Sequence, residues 1–206
     1  MNHSNNKIAK VQATCNSYYT PDETAEILRV VDCSTAIGKR DYAILLIAIS
    51  LGMRAGDICH LQISDIHWER DEISFLQQKT GNHQILPMTE GIRYALADYL
   101  KNGRPDTSCN SLFIKMRAPY EAFSASSALY RILNSYMGKT SIYTEGKRHG
   151  MHAMRHSLSS RLLENGTSLP VVTSILGHSS TKVTNRYLWM NTEQLRKVSL
   201  EVPYGK

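Results

Sequence analysis

Residues 152–155 read His152-Ala153-Met154-Arg155, and they are followed by Leu176-Gly177-His178 and then by Tyr187. These short motifs, called boxes below, contain two imidazoles, a guanidinium and a phenol within 36 residues. Arginine and histidine side chains can hold and neutralise a phosphodiester, and a tyrosine can attack it. The pattern therefore predicts a site for phosphodiester chemistry, and its flanking apolar periodicity predicts four short helices over about 151–165, 169–176, 179–189 and 192–200.

A second arginine lies upstream in Gly52-Met53-Arg54-Ala55-Gly56-Asp57, after a run that is apolar nearly all round. That run predicts a buried helix over about 39–50, which Gly52 ends. Another helix start is indicated by Thr20-Pro21-Asp22-Glu23, in which Thr20 caps the helix and Glu23 completes a capping box. The remaining predicted helices cover about 20–32, 55–61, 89–101 and 124–137.

One segment between these helices predicts β-structure. Short strands are expected at 65–68, 72–77 and 84–87, with the last two joined through Thr80-Gly81-Asn82, a sequence typical of a hairpin turn. Polar loops are expected over 102–111 and 138–150. The predicted fold class is thus mainly α with a small antiparallel β-sheet (α+β). Residues 1–19 are polar and lack periodicity, and they are interpreted as a flexible lead or linker remnant before one domain over 20–206.

The composition of the 206 residues, with 42% hydrophobic side chains, favours a domain with a full core. The longest apolar run, 42–49, is too short to span a bilayer, so no membrane association is expected. The four cysteines form no Cys-x-x-Cys pair, which favours a reduced, cytoplasmic protein. Cys33 and Cys59 are interpreted as small buried apolar groups.

The net charge of +6 is concentrated in one segment. Residues 147–206 contain nine Lys or Arg and three acidic residues, whereas the rest of the chain is balanced. Because the His, Arg and Tyr boxes lie in the same segment, a basic surface facing a polyanion such as DNA is expected.

In combination, these boxes resemble those of the tyrosine recombinases, the phage-integrase family, over about residues 20–200. The first family box matches residues 52–57 and is followed by Leu61 and then Ser64-Asp65-Ile66. The family places a lysine on a β-hairpin, where this chain has Lys79 in Gln78-Lys79-Thr80-Gly81. The His-x-x-Arg box continues into His156-Ser157, and the Leu-Gly-His box precedes Tyr187 by the family's interval.

The resemblance implies a tyrosine-recombinase catalytic-domain fold, that of the DNA breaking-rejoining enzymes, and a role for each matching residue. Arg54, Arg155 and His178 would bind the scissile phosphate, and His152 would assist proton transfer with the tyrosine. Lys79 would act as general acid for the leaving 5′ oxygen, and Asp57 would orient its neighbours. Tyr187 would form a covalent 3′-phosphotyrosyl intermediate, with neither a metal nor another cofactor required.

The resemblance also implies partners. We expect double-stranded DNA recombination sites as substrate, a homo-tetramer on DNA, a monomer in isolation, and accessory DNA-bending or directionality factors. Segment 192–206 is expected to pack on a neighbouring protomer. The implied role is integration or recombination of a mobile element (a phage or a conjugative transposon) in the bacterial cytoplasm, associated with the nucleoid. Full-length integrases carry an N-terminal DNA-clamping domain, so residues 1–19 favour a catalytic-domain fragment over a naturally short recombinase.

Three alternatives remain at this point. A type IB topoisomerase uses the same chemistry to relax DNA, and a catalytically silent relative would only bind DNA. The spacing of His152 and His156 also occurs in zinc hydrolases, but Ala153 occupies the position of their general-base glutamate.

Overall fold

The computed structural model describes residues 18–177, so the helices predicted over 179–189 and 192–200 lie outside the described residues. Between residues 18 and 177 the chain forms seven α-helices and a three-stranded antiparallel sheet. The helices are α1 (Pro21–Arg29), α2 (Ala36–Leu51), α3 (Ala55–His60), α4 (Glu90–Asn102), α5 (Ser127–Met137), α6 (Met151–Glu164) and α7 (Leu169–Ile175). The strands are β1 (Ile66–His67), β2 (Glu72–Leu76) and β3 (His83–Pro87). The predicted α+β class is confirmed.

The capping box predicted at the start of α1 is present. The Thr20 hydroxyl accepts a hydrogen bond from the Glu23 backbone N–H at 3.2 Å, and the Glu23 carboxylate accepts one from the Thr20 N–H at 2.9 Å. The predicted end at residue 32 is wrong, because α1 stops at Arg29. Asp32 instead accepts from the Ser34 N–H at 3.0 Å, a local side-chain bond that competes with helix continuation.

Helix α2 is the centre of the core, as its apolar sequence predicts. It packs against α1, α3, α4, α5 and α6, and it is buried over nearly its whole length. It starts at Ala36 rather than at the predicted Lys39, because the Thr35 hydroxyl caps it by accepting from the Gly38 N–H at 3.0 Å. It ends at Gly52, as predicted.

The hairpin between β2 and β3 is confirmed, with Ile73 opposite Leu86 and Phe75 opposite Gln84. Ile73, Phe75 and Leu86 are buried, which fixes one face of the sheet against the helices. Strand β1 is shorter than the predicted 65–68 and pairs with β2 through Ile66 and Ile73.

One further boundary differs from the sequence predictions, and one predicted loop agrees with the structure. Helix α5 begins at Ser127 rather than at residue 124, while the predicted loop over 138–150 contains neither helix nor strand.

Within residues 18–177, no helix combines the length and the apolar character that crossing a membrane requires.

Candidate functional site

The site is organised around the C-terminal end of α2. Gly52 adopts the left-handed conformation with φ of 61°, which turns the chain from α2 toward Arg54 at the start of α3. A Cβ atom on Gly52 would lie 2.9 Å from Leu158 Cδ2 and 3.0 Å from Leu176 Cδ2. Both the backbone conformation and the close packing of α6 therefore favour glycine here.

Arg155, on α6, connects the ends of two helices. Its Nη1 donates to the Gly52 carbonyl at 2.8 Å, and its Nη2 donates to the Leu176 carbonyl. These carbonyls lie at the C-terminal ends of α2 and α7, where the helix dipoles favour a cation. The residue is only 6% exposed. Burial, together with the nearby charge of Arg54, lowers the pKa of the Arg155 guanidinium to about 10, and Asp57 opposes the shift.

Arg54 lies beside Arg155 at the same corner. Its Nη2 donates to the Gly177 carbonyl at 3.3 Å, and its Nη1 is 3.7 Å from Asp57 Oδ2. The side chain is 21% exposed, so it is both anchored and open to solvent. Two guanidinium groups thus converge on the Leu176-Gly177 segment, and their mutual repulsion would be relieved by an anion between them.

Asp57 connects this corner to the turn that carries Lys79. Its carboxylate is 3% exposed, and Oδ1 accepts from the Gln78 backbone N–H at 2.8 Å. The exposed Lys79 follows directly, in the turn between β2 and β3. Asp57 thus contacts both Arg54 and the hairpin turn.

Two glutamines that the sequence analysis did not single out also connect the Lys79 turn to the Leu176-Gly177 segment. Gln77 is buried at the end of β2, and its side chain contacts that of Gln84 on β3. With the Gln77 amide oriented so that its nitrogen faces Thr80 and Gly177, that nitrogen lies 2.6 Å from Thr80 Oγ1 and 3.1 Å from the Gly177 carbonyl. The Gln84 amide nitrogen donates to the Ile175 carbonyl at 2.6 Å. The sequence did contain a signal for Gln77. It follows Ile73 and Phe75 at the next inward-facing position of the strand pattern, where a polar side chain is unexpected.

His152 lies at the first turn of α6, three residues before Arg155. Its side chain is at the surface, and its Nε2 is 3.1 Å from Nε2 of His156, which is 2.9 Å from Arg148 Nη1. Partial burial of its ring lowers the pKa of His152, and the positive charges of Arg155, Arg148, Arg54 and Lys79 lower it further. Positive charges from the start of α3, the hairpin turn, the loop before α6 and α6 itself therefore all act on this imidazole.

The structure thus brings together Arg54, Asp57, Lys79, His152 and Arg155 among the predicted site residues. His178 and Tyr187 lie outside the described residues. His178 directly follows Gly177, whose carbonyl is bound by Arg54.

The expected basic surface over 147–206 needs a correction in its described part. Arg155 and Arg161 are buried, and Arg161 Nη2 donates to the Ile49 carbonyl at 3.1 Å. Lys147 forms an ion pair with Glu23 and lies over the Tyr19 ring. These three positive charges are therefore bound within the fold, whereas Arg148 is at the surface.

The cysteines match their predicted role in part. Cys59 is buried, as expected, but Cys33 is only partly buried against the core. Among residues 18–177, no group of three or more His, Cys, Asp or Glu side chains is placed to hold a metal ion.

Comparison with known proteins identifies the class. A profile described as the Phage integrase family matches residues 17–194. The putative integrase/recombinase y4gC of Sinorhizobium fredii is 35% identical over 169 residues, which are 82% of this chain and 86% of that protein. Tyrosine recombinase XerA of Pyrococcus horikoshii is 26% identical over 93% of this chain.

Solved structures agree with this result. The crystal structure of XerA recombinase superposes with a TM-score of 0.66 at 26% identity, over 87% of this chain and 65% of that one. The lambda integrase catalytic core superposes with a TM-score of 0.61 over 82% of this chain and 99% of that one. At 21% identity, this second likeness concerns the fold.

The chain belongs to the phage integrase family, and its class is that of the tyrosine-type site-specific recombinases. It spans most of y4gC, but only 44% of the related y4rA of Sinorhizobium fredii and 63% of XerA.

Proposed function

We propose that this chain cleaves and rejoins double-stranded DNA at specific sites through a covalent 3′-phosphotyrosyl intermediate formed by Tyr187. The observation that carries the proposal is the convergence of Arg54 and Arg155 on the carbonyls of Leu176 and Gly177. Leu176 and Gly177 directly precede His178 in the Leu-Gly-His box, which supports a shared phosphate-binding role for the two arginines and this histidine. Planar guanidinium groups are suited to hold a phosphate through two of its oxygens at once.

In the proposed reaction, the Tyr187 oxygen forms a bond to phosphorus and the bond from phosphorus to the 5′ oxygen breaks. The phenolic proton leaves with the assistance of His152, whose lowered pKa favours the neutral, proton-accepting imidazole. The departing 5′ oxygen takes a proton from the Lys79 ammonium group. Arg54, Arg155 and His178 hold the phosphate and stabilise the charge that develops on it.

Rejoining reverses these steps. The 5′ hydroxyl of a partner strand attacks the phosphotyrosyl phosphorus, and the phenol of Tyr187 is restored. The energy of the phosphodiester is conserved in the covalent intermediate.

The proposed assembly is a homo-tetramer on DNA, and the proposed substrate belongs to a mobile element. Solved structures of lambda integrase include a dimer bound to a COC′ core site and a tetramer bound to a Holliday junction. We expect native mass spectrometry of this chain to detect four copies on a synthetic four-way junction that carries its site. Accessory DNA-bending or directionality factors, and packing of segment 192–206 on a neighbouring copy, are further parts of the proposal.

A covalent-trapping assay tests the chemistry. DNA sites are first selected with the purified chain from a random duplex library. A nicked version of the selected site is then incubated with the protein, so that the short cleaved fragment diffuses away and an adduct accumulates. A denaturing gel measures the adduct, and mass spectrometry of the linked peptide identifies the attached residue.

Two tyrosine variants are compared in this assay. Tyr187→Phe is expected to bind the selected site without forming an adduct. Tyr143→Phe, which changes an exposed tyrosine in loop 138–150, is expected to form the adduct as the unmodified chain does. DNA binding without any adduct would identify a catalytically silent domain, and an adduct that persists in Tyr187→Phe would refute the nucleophile assignment. Relaxation of supercoiled plasmids that lack the selected site would favour a type IB topoisomerase activity instead.

A further inference from the structure

We infer that Gln77 and Gln84 are positioning residues for the general acid, because they fasten the Lys79 turn to the Leu176-Gly177 segment before His178. The inference rests on the proposed function of Lys79 and concerns residues to which the family resemblance assigned no role.

The turn that carries Lys79 is held on both sides. On one side, the Gln78 N–H donates to the buried carboxylate of Asp57 at 2.8 Å. On the other side, Thr80 Oγ1 is 2.6 Å from the Gln77 side-chain amide. The Gln77 backbone also closes the turn, since its carbonyl accepts from the Gly81 N–H at 2.8 Å. Lys79 therefore projects from a turn whose flanking residues are both fixed.

The same glutamine reaches the other half of the site. The Gln77 amide nitrogen is 3.1 Å from the Gly177 carbonyl, and its amide oxygen is 3.2 Å from Arg54 Nη1. Gln84 supports this contact from β3 by donating to the Ile175 carbonyl at 2.6 Å. The two side-chain amides thus connect the hairpin to the backbone carbonyls at and just after the C-terminal end of α7.

The close fit at Gly177 supports this interpretation. Gly177 has a φ of +60°, and a Cβ atom at this position would overlap the Gln77 amide and lie 2.7 Å from Gln84 Oε1. Glycine in the Leu-Gly-His box therefore both turns the chain and leaves room for the two glutamine side chains that lie beside it. Removing the amide of the buried Gln77, which satisfies a backbone carbonyl, should therefore be costly.

A chemical substitution in the DNA separates a positioning role from a general structural one. When sulfur replaces the bridging 5′ oxygen, the leaving group departs as a thiolate and needs no proton from an acid. A variant that misplaces Lys79 should then be slow on ordinary DNA and recover on the sulfur-bridged DNA. A variant that damages phosphate binding or the nucleophile should be slow on both.

The test variants are Gln77→Met and Gln84→Met, which keep the length of the side chain and remove its amide group. Lys79→Ala is the reference for loss of the general acid. Ser74→Ala is the matched control, because it removes a cross-strand contact of the same hairpin, from Ser74 Oγ to His83 Nε2 at 2.8 Å. Single-turnover rates of adduct formation are measured on both substrates, with thermal unfolding measured in parallel.

We expect Gln77→Met to form the adduct about 10- to 100-fold more slowly on ordinary DNA, as small misplacements of a catalytic group commonly do. On the sulfur-bridged DNA it should match the unmodified chain, as Lys79→Ala should, and Gln84→Met should show a smaller effect of the same kind. Ser74→Ala should behave like the unmodified chain on both substrates.

Two results would overturn the inference while leaving the proposed function in place. In the first, Lys79→Ala recovers on the sulfur-bridged DNA and Gln77→Met remains slow on both substrates. In the second, Gln77→Met is as fast as the unmodified chain on ordinary DNA. Failure of Lys79→Ala to recover would instead refute the general-acid assignment of Lys79, and the positioning role with it.

Discussion

Arg155 donates from Nη1 to the backbone carbonyl of Gly52 at 2.8 Å, across 103 residues of chain. This bond fixes a guanidinium of α6 at the C-terminal end of the buried helix α2, next to Arg54. Arg155 also donates to the Leu176 carbonyl. The same side chain therefore stabilises the fold and sets the position of the segment before His178.

We expect Arg155→Lys to lower both stability and activity. A lysine ammonium cannot reproduce the planar fork that serves two carbonyls, so at least one buried carbonyl loses its partner, at a cost of about 1–3 kcal/mol. Urea unfolding measures this loss, and the trapping assay measures the adduct. Arg161→Lys is the control, since Arg161 is buried on the same helix and donates to the Ile49 carbonyl. It should lose stability but retain adduct formation per folded molecule; equal loss of the adduct in both variants would contradict a specific role for Arg155.

Gly52→Ala should destabilise the fold strongly. The left-handed conformation disfavours a side chain, and the added Cβ would press against Leu158 and Leu176, so we expect a loss of about 2–4 kcal/mol in the free energy of unfolding. Gly166→Ala provides the comparison, because Gly166 also has positive φ but no heavy atom within 4 Å of the added Cβ. Its loss should be about 1 kcal/mol. Similar losses for the two variants in urea unfolding would show that packing at Gly52 contributes little.

Arg148→Gln should raise the pKa of His152. The positive charge of Arg148 helps to keep that pKa low, so its removal makes protonation of the imidazole easier. The acid limb of the adduct rate against pH should therefore move to higher pH. NMR titration of the imidazole nitrogens measures the pKa directly. Lys139→Gln, in the same loop, serves as control because Lys139 lies over the Tyr136 ring and is not among the charges that act on His152.

The same shift predicts a change in stability with pH. Since the folded pKa of His152 lies below its unfolded value, protonation of the imidazole opposes folding. Its contribution to stability is therefore present above a pH of about 6.5 and is lost as the pH falls. Arg148→Gln should reduce that loss. A His152 pKa that stays constant or falls in this variant would contradict the electrostatic explanation.

Asp57→Asn should be milder than Asp57→Ala. The amide oxygen of asparagine can still accept from the Gln78 N–H, which holds the Lys79 turn, whereas alanine leaves that donor without its present acceptor. We expect Asp57→Ala to lose about 1–3 kcal/mol of stability and to slow adduct formation more than Asp57→Asn. Chemical unfolding and single-turnover trapping measure the two effects. Equal slowing by both variants would show that the charge beside Arg54 matters more than support of the turn.

Local sequence predicted the elements of the fold well. The Thr20–Glu23 capping box, the buried helix before Gly52 and the β2–β3 hairpin all depend on neighbours within a few residues, and all three are confirmed. The errors concern the ends of helices and of strand β1. At Asp32 and Thr35, single side-chain hydrogen bonds to the backbone shift a boundary that hydrophobic periodicity does not resolve.

The chemistry of the site was also readable in part. Arg54, His152 and Arg155 were selected from the sequence motifs and Lys79 from the family resemblance, and the structure groups the four residues around one corner. The contacts of these residues could not be predicted from the sequence. Arg155, for example, donates to backbone carbonyls, which every residue type has. The same limit applies to Gln77, whose partners Gly177 and Arg54 come from distant parts of the chain.

The sequence by itself thus determined the helices and hairpin, the candidate reactive side chains and the family, because periodicity, capping and motif order are properties of short segments. Tertiary structure alone decided which positive charges are available. It buries Arg155 and Arg161, pairs Lys147 with Glu23 and leaves Arg54 partly exposed beside the Lys79 turn. The reason is physical: burial and hydrogen bonding depend on which distant backbone groups packing brings within about 3 Å of a side chain, and no local pattern encodes that distance.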